Sequence, residues 1–573
     1  MMDKRTVIGI IIIAAILVLT PYYTKLIGGG KKPVAEADTL GHAESDLTRS
    51  TAVVHEENLS RLEIKGSADT LLPLHSIGGD VESEAEEDSV PDRLVKVRTE
   101  KYEIVLSSRG GDIVSFTSLE FPDVAGEPYD FCHSEIIGPN LEVVGYRGKE
   151  IISSSGLDFL PDRDSLILTE ADEEGAVTFT VNLPEGGLLQ RRYHFKFDEY
   201  SFEHTALFTG DSAFEPLDET VLWWRKGLEP SDPEVKTNVS TSYRAGYLMG
   251  DSYSTEKFGK SDLPRFSHDG STGFVATLNK YFAVIIAPKE GVASGVRGDG
   301  VWYSSRKFDG SDRQIPVIGV GLSMPGGEAP YSRHDLVYIG PRDLKTLKAY
   351  SRSFEKVVNL GWSWLSPITK FFIWIFDILY SLLHNYGLVI IVFSILIKIM
   401  LYPLSRKQME SMKKMKDLEP KIAELRERYS TDVKRLNEET MKLYQKEKIN
   451  PLGGCLPLLP QMPIFFALFA MLQNSFALRG APFGLWLQDL SAKDPYYILP
   501  ILMTLTMFIQ QKMTVKDPKQ KAMVYMMPLL FLFMFRNMPS GLVLYWLCFN
   551  IFSLAQTLWV EFKSNRESGL AKV

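Results

Sequence analysis

Between Tyr386 and Val560 the sequence is a succession of apolar runs, near 386–404, 456–478, 496–511, 522–536 and 540–560, separated by polar stretches. In lipid the backbone has no water to bond, so such runs are confined to helices that satisfy their own N–H and C=O groups. The first run, YGLVIIVFSILIKIMLYPL, carries Lys398 about two-thirds of the way along. A charged amine at that depth costs roughly 2.5–3.5 kcal/mol, so it needs a wet cavity or a polar partner. The later runs hold Gln461, Gln473 and Asn474, then Gln510, then Asn550, Ser553 and Gln556. A bundle tolerating this much polarity encloses water and suits the movement of something polar into or across a bilayer. The plainer alternative is a snorkelling lysine, since Leu404 lies only about 9 Å further along the axis.

The mean hydropathy of −0.04 conceals a split. Residues 28–350 are mostly polar and rich in Asp and Glu, whereas 360–562 hold nearly all the long apolar runs, so the net charge of −8 describes no single face. The three cysteines, Cys132, Cys455 and Cys548, are far apart and form neither a disulfide framework nor a zinc spacing. No P-loop, GxSxG, HExxH or GxGxxG stands in context, so no motif here points to bond-making chemistry, a cofactor or a metal.

At the N-terminus Lys4 and Arg5 precede the apolar run Val7–Leu19, and apolar character continues through Tyr22, Tyr23, Leu26 and Ile27. About 20 residues suffice to span, so residues 1–27 read as an uncleaved anchor with its N-terminus in the cytoplasm. A cleaved signal peptide, using Gly28 and Gly30 as a small-x-small site, is the rival. Residues 405–450 carry 13 Lys/Arg against 9 Asp/Glu, and 512–521 adds Lys512, Lys516, Lys519 and Lys521. The alternate loop, 479–495, has only Arg479 and Lys493. Positive-inside counting then places the basic loops and the tail 563–573 in the cytoplasm, 28–365 outside, and gives six spans with both ends inside. Two of them, 496–511 and 522–536, reach only about 24 Å and 22 Å against a hydrocarbon core of roughly 30 Å, which implies a thinned bilayer or boundaries misplaced by a turn. An extra apolar stretch, Pro367–Leu383, with Lys370, Asp377 and several aromatics, suits a helix lying in the interface, within a linker segment 351–385. His384-Asn385 would turn the chain into the first span of the core, 386–562.

Residues 28–90, with Gly28-Gly29-Gly30 and the acidic cluster Glu82, Glu84, Glu86, Glu87 and Asp88, read as a flexible tether. From 91 to 350 the pattern changes to period-two alternation: Tyr102, Ile104, Leu106; Val177, Phe179, Val181; Tyr193, Phe195, Phe197. With turns at Gly110-Gly111 and Pro184-Glu185-Gly186-Gly187, this predicts a large antiparallel sandwich. His194 and His204 lack a third ligand. Trp223-Trp224 suits either a sugar or peptide cleft or core packing.

Residues 405–448 predict a charged helical hairpin, or else a solvated loop. Pro420 restarts its first helix and the second begins near Thr431-Asp432, with Val433, Leu436, Met441, Leu443 and Tyr444 as a ragged apolar stripe. Its basic charge favours an acidic or RNA-rich partner. Pro457, Pro460 and Pro463 then fall roughly along one helical face and free carbonyls beside Gln461, a second sign of a hydrated groove.

Four segments, YPLSRKQMESMKKMKDLEPKIAELRERY, NPLGGCLPLLPQMPIFFALFAML, LSAKDPYYILPILMTLTMFIQQKM and PSGLVLYWLCFNIFSLAQ, resemble the YidC-type membrane protein insertases of Gram-negative bacteria (the YidC/Oxa/Alb family). The likeness is dense over 355–562, and the order of anchor, sandwich and five-span core matches throughout. It implies an insertase and chaperone, working alone or with the Sec translocon. Its partners would be nascent membrane proteins, membrane lipids, and ribosomes and targeting factors at hairpin 405–448. The fold implied is a polytopic α-helical membrane protein with a periplasmic β-supersandwich. The family's groove is open to cytoplasm and lipid and holds a basic residue, typically Arg; Lys398 stands there, keeping the charge without the bidentate fork. Ser394, Gln461, Met462, Phe465, Trp546, Asn550, Ser553 and Gln556 would line the groove with it. The Met-rich fifth span (Met523, Met526, Met527, Met534) would offer adaptable contacts or ordinary packing. A small-solute transporter is the rival, but it predicts inverted repeats that the sequence does not display. A carbohydrate-binding protein on a passive anchor would need one span.

Overall fold

The computed structural model describes residues 91–570 except 123–125, 133–135, 137, 149, 184–185, 211–215, 232–242, 257–264, 306–312, 404, 407–413, 415–417, 431, 448–457 and 515–520. The expected anchor, tether and NPLGGC segment therefore lie outside the described residues.

Alternating strands build a two-sheet sandwich. A small sheet runs from Pro128–Asp130 through Ile113–Pro122, Tyr102–Ser107 and Leu94–Arg98 to Ser165–Ile167. It is antiparallel except for its last pair, where Lys96–Arg98 run alongside Ser165–Ile167. A second sheet of fourteen strands extends from Glu150–Ser153 at one edge to Leu160–Pro161 at the other. Ile104 and Phe116 of the first sheet share one buried core with Phe179, Tyr193, Phe282 and Val320 of the second. The Gly110-Gly111 turn has positive φ at both residues (75° and 61°), a conformation glycine adopts without a Cβ penalty.

Trp223 and Trp224 end the strand Glu219–Trp224 and are 1% and 0% exposed. They are core residues, which removes the cleft reading. Gly321 makes room, since a Cβ there would lie 2.8 Å from the Trp223 ring. His204 is equally buried and accepts from Arg191 Nε at 3.2 Å. Arg191 also reaches the carbonyls of Gly110 and Leu141 and the Ser154 hydroxyl. Beside it Arg333 pairs with Asp335 through two bonds of 2.6 and 2.8 Å. Burial alone would raise Asp335, but Arg333 and its hydrogen bonds, aided by His204, hold its carboxyl below the usual range.

Nine α-helices among the described residues follow: α1 Leu344–Ala349, α2 Ser366–Leu383, α3 Tyr386–Met400, α4 Glu419–Arg428, α5 Val433–Lys446, α6 Leu458–Asn474, α7 Ile498–Thr514, α8 Lys521–Phe535 and α9 Ser540–Leu570. The turn from α2 to α3 falls at the expected dipeptide. His384 is left-handed (φ 53°), and the Asn385 side chain caps α3 by accepting from Leu388 N at 3.0 Å. Phe372 and Phe376 of α2 close on Phe393 of α3 at ring separations of 5.1 and 5.0 Å. Around this contact Leu468 and Met471 of α6, Met503 of α7 and Val543 and Tyr545 of α9 complete a second core. The outer surface stays apolar, with Ile399, Ile501, Leu529, Phe533 and Trp559 all exposed. In water such a surface would aggregate; in lipid it is solvated.

Helix length does not by itself reproduce six spans. Among the described residues Ser366–Leu383 and Ser540–Val560 are long and apolar enough to cross, while Tyr386–Met400, Ile498–Met513 and Val524–Phe535 are shorter. The expected boundaries also shift at the second run. Helix α6 stops at Asn474, and Phe476 leaves the bundle to pack against Phe121 of the sandwich at 4.7 Å, edge to face.

The hairpin forms as two helices. Pro420 sits in the first turn of α4, where its missing N–H is harmless, and Asp432 caps α5 by accepting from Arg435 N at 3.0 Å. Lys421 and Glu447 tie the open end together at 2.9 Å. Leu436 of the expected stripe is buried, whereas Met441 is exposed.

Candidate functional site

Helices α3 and α9 meet side by side within the second core, and that packing finds Lys398 its partner. Its Nζ lies 2.7 Å from Ser553 Oγ. Ser553 in turn donates to the Phe549 carbonyl at 2.8 Å, so its lone pair faces the ammonium. The Phe549 ring lies 4.8 Å below the same nitrogen, a cation–π distance. An ammonium has three donors, and Ser553 takes one. Among the described residues the others meet no acceptor and are left for water or an incoming group.

Nearby positions on α9 are polar in a buried setting. Asn550 is 7% exposed and its Nδ2 has no partner among the described residues. Gln556, one turn beyond Ser553, is half-buried. On α7, Gln511 has a buried Oε1 without a partner among the described residues. Buried amides are nearly always bonded, so unmet ones in a bundle point to ordered water.

The other expected groove residues divide into two sets. Phe465 of α6 meets Trp546 of α9 edge to face at 5.0 Å, and Trp546 also contacts Phe535 of α8 at 5.6 Å. This aromatic junction joins three helices on one side of α9. Gln461 and Met462 are half-buried on α6, a turn before Phe465. Ser394, by contrast, is fully buried and spends its hydroxyl on the Ile390 carbonyl at 2.7 Å. Position 394 therefore permits close helix packing without offering a free polar atom. Pro463 stays within α6 and Pro528 within α8.

Three features escaped the sequence reading. Phe549 and Gln511 carry no charge or motif to mark them. Asp494 sits in the sparse loop between α6 and α7, buried to 1%. Its carboxylate accepts from Trp486 Nε1 at 3.0 Å, Tyr496 N at 3.1 Å and Leu499 N at 2.7 Å.

Comparison with known proteins bears on the two folded halves of the chain. Residues 378–567 match the model described as "60Kd inner membrane protein", and residues 94–375 match "YidC periplasmic domain". A relative from Geotalea daltonii, called "Membrane protein insertase YidC", is 36% identical, covering 82% of this chain and 86% of its own length. The chain belongs to the YidC family. A second relative of the same name, from Syntrophus aciditrophicus, is 32% identical over 98% of this chain and 99% of its own. The solved structure titled "Active YidC insertase crystal structure with the first transmembrane domain resolved" covers 81% of this chain and 94% of its own at 19% identity, with a TM-score of 0.36. The family is one of inner-membrane proteins, with a β-rich periplasmic domain ahead of a helical C-terminal region. Both halves are present here in that order.

Proposed function

We propose that this chain is a membrane protein insertase, in which the space beside Lys398, walled by α3, α6 and α9, is the groove that receives a client. The observation that carries the reading is the Lys398–Ser553 contact of 2.7 Å within an otherwise apolar bundle. An insertase must lower the cost of bringing a client's polar flank into lipid. A half-buried ammonium with spare donors does so through attraction in a low dielectric, and the unmet Asn550 and Gln511 atoms favour a hydrated lining. The aromatic junction of Phe465 and Trp546 supplies an apolar wall along which the client helix leaves for lipid.

The finer arrangement follows the charge pattern. The chain crosses the inner membrane six times, with both termini and hairpin 405–448 in the cytoplasm and the sandwich in the periplasm. Helices α7 and α8, 17 and 15 residues long, span about 25 Å and 22 Å and thin the bilayer around them. Helix α2 lies in the interface, with Phe371, Trp374, Ile378 and Leu382 exposed to lipid along one stripe and Phe372 and Phe376 turned to the bundle. Ribosomes and targeting factors dock on the hairpin, and the Sec translocon shares clients.

Photo-crosslinking tests the reading. Probes at 398, 465 and 546 should each capture a nascent membrane protein during insertion into vesicles, whereas a probe at exposed Leu529 should capture lipid. Equal client capture at all four positions, or none at the first three, would overturn it.

A further inference from the structure

The linker that carries the chain from the sandwich into the bundle is pinned against the last two turns of α6. Asn474, which ends that helix, donates to the Asn359 carbonyl at 3.2 Å and to the Ala470 carbonyl at 2.7 Å. Gly361 then passes over Ala470 with φ at 85°, so near that a Cβ on it would stand 3.1 Å from the alanine methyl. Conformation and space both favour glycine there. Trp362 to Leu365 make a turn, closed by Leu365 N on the Trp362 carbonyl at 2.8 Å. Buried Thr369 of α2 ties the linker down by donating to the Leu360 carbonyl at 3.1 Å.

Between this fixed turn and α6 there is a cleft of about 40 Å³, walled by Trp362, Leu365, Phe466 and Phe469, with Gln473 at the Asn474 end. Phe466, Ala470 and Gln473 recur at i, i+4 and i+7, so they form one stripe of the helix. Phe465, which meets Trp546, projects about 100° around α6 from Phe466, so this cleft is separate from the space beside Lys398. Gln473 is half-buried, and its amide bonds to nothing among the described residues. No charged side chain lines the cleft among those residues. Outside it, Trp364 stacks on Trp362 at 6.1 Å and is 60% exposed. The exposed stripe of α2 continues that aromatic surface, beginning with Phe371 and Trp374 stacked at 5.8 Å.

We propose that this cleft binds one glycerophospholipid, with an ester carbonyl accepting from the Gln473 amide and the upper acyl chain lying on Trp362 and Phe466. The proposal rests on the interfacial placement of α2 given above. Lipid is the solvent of the apolar surface that runs on from the cleft along α2, so it is the occupant at hand. A cleft this small takes the few atoms around an ester, and the chain continues over the exposed Trp364 and Phe371 rings. Indoles suit that depth, since each joins an apolar body to one N–H donor. A neutral amide neither attracts nor repels a headgroup charge. Zwitterionic and anionic phospholipids should therefore bind alike.

The test uses the full chain in detergent, titrated with phosphatidylethanolamine, phosphatidylglycerol or phosphatidylcholine, with bound lipid counted by native mass spectrometry. One lipid should bind with an affinity independent of headgroup and of salt. Gln473→Leu should weaken binding roughly fivefold and Trp362→Ala roughly tenfold, while Leu529→Ala on α8 should leave it unchanged. If Trp362→Ala fails to fold, Gln473→Leu decides alone. Equal binding by wild type and both cleft variants would mean annular lipid only and would overturn the proposal, as would a preference for anionic headgroups. In membranes, a photoreactive side chain at position 364 should capture phospholipid. Capture of a neighbouring protein alone would make this face a protein interface and overturn the proposal too. Labelling of α2 by a probe at the far end of the acyl chain would contradict the interfacial placement instead. It would leave the count of bound lipid unaffected, so the two failures are distinguishable.

Discussion

Lys398 and Ser553, 155 positions apart in sequence, meet at 2.7 Å across α3 and α9, and the serine's own proton is already committed to Phe549. The ammonium is therefore steadied by a lone pair and a ring face. Among the described residues it is neither neutralised by a carboxylate nor held in a fork.

A charge held this way should act through its sign. Lys398→Arg should stay active, Lys398→Ala should lose insertion chiefly for clients with charged outer segments, and Lys398→Glu should be worst. Ser553→Ala should cost less than Lys398→Ala, since water can replace one hydroxyl. Protease-protected client in vesicles, at matched insertase levels, is the measurement. Equal activity of all variants across acidic and neutral clients would reduce Lys398 to a snorkelling lysine.

Lys421–Glu447 ties hairpin α4–α5 at its open end, and both partners are substantially exposed. Removing Glu424–Gln445 should impair delivery of clients, with wild-type docking weakening as salt rises, yet leave the melting temperature of the solubilised bundle unchanged. A lower melting temperature would mean that the hairpin is structural.

The sandwich should answer to pH through His204. Burial lowers its pKa to about 4 from 6.5, so between those values the unfolded chain takes up a proton that the folded one refuses. The associated stability is fully present above pH 6.5 and is lost as pH falls toward 4, about 3 kcal/mol at the limit. Asp112 pulls the other way, because burial, opposed by N–H bonds from Leu141 and Asn140, pushes its carboxyl up to about 6. The informative quantity is therefore the difference between wild type and His204→Gln, which keeps an acceptor for Arg191. On acidification from pH 7 to 4.5 the melting temperature of the sandwich transition should shift less downward, or more upward, in the variant than in the wild type. Parallel shifts would remove His204 from the account.

Deleting 91–330 while keeping α2 should leave substantial insertion, since the groove is built from the helices alone. The deletion also strips Phe476 and Arg479 of their partners, leaving a bare ring beside the bundle. Adding Phe476→Ser to the deletion should therefore recover activity or yield relative to the deletion alone. No gain from the serine would show that the ring is harmless once its cage is gone.

Much of this architecture was legible in local pattern. Period-two runs such as Tyr102–Leu106 gave the strands, Pro420 and Asp432 gave the hairpin's helix starts, and His384-Asn385 gave the turn into α3. These signals act within a few residues and survive folding unchanged. The partners of Lys398 did not show, because α9 is apolar on nearly every side and its sequence cannot reveal which face meets α3. Trp223-Trp224 was ambiguous for a related reason: a strand buried on both faces looks the same whether its aromatics fill a core or floor a cleft. Phe476 looked like the end of a span, and only its landing in the sandwich tells the two apart. Asp494 resembled any loop acid until its three donors were in view.

The place of Phe476 in the sandwich has a consequence for the order in which the molecule is made. The last sandwich strand ends at Pro341, so the chain must grow by a further 135 residues (476 − 341) before the ring that packs on Phe121 and Phe282 exists. During that interval the sandwich stands complete in its strands but open at one aromatic slot. Arrival of the α6–α7 loop closes it, so a correctly packed bundle finishes the domain made before it.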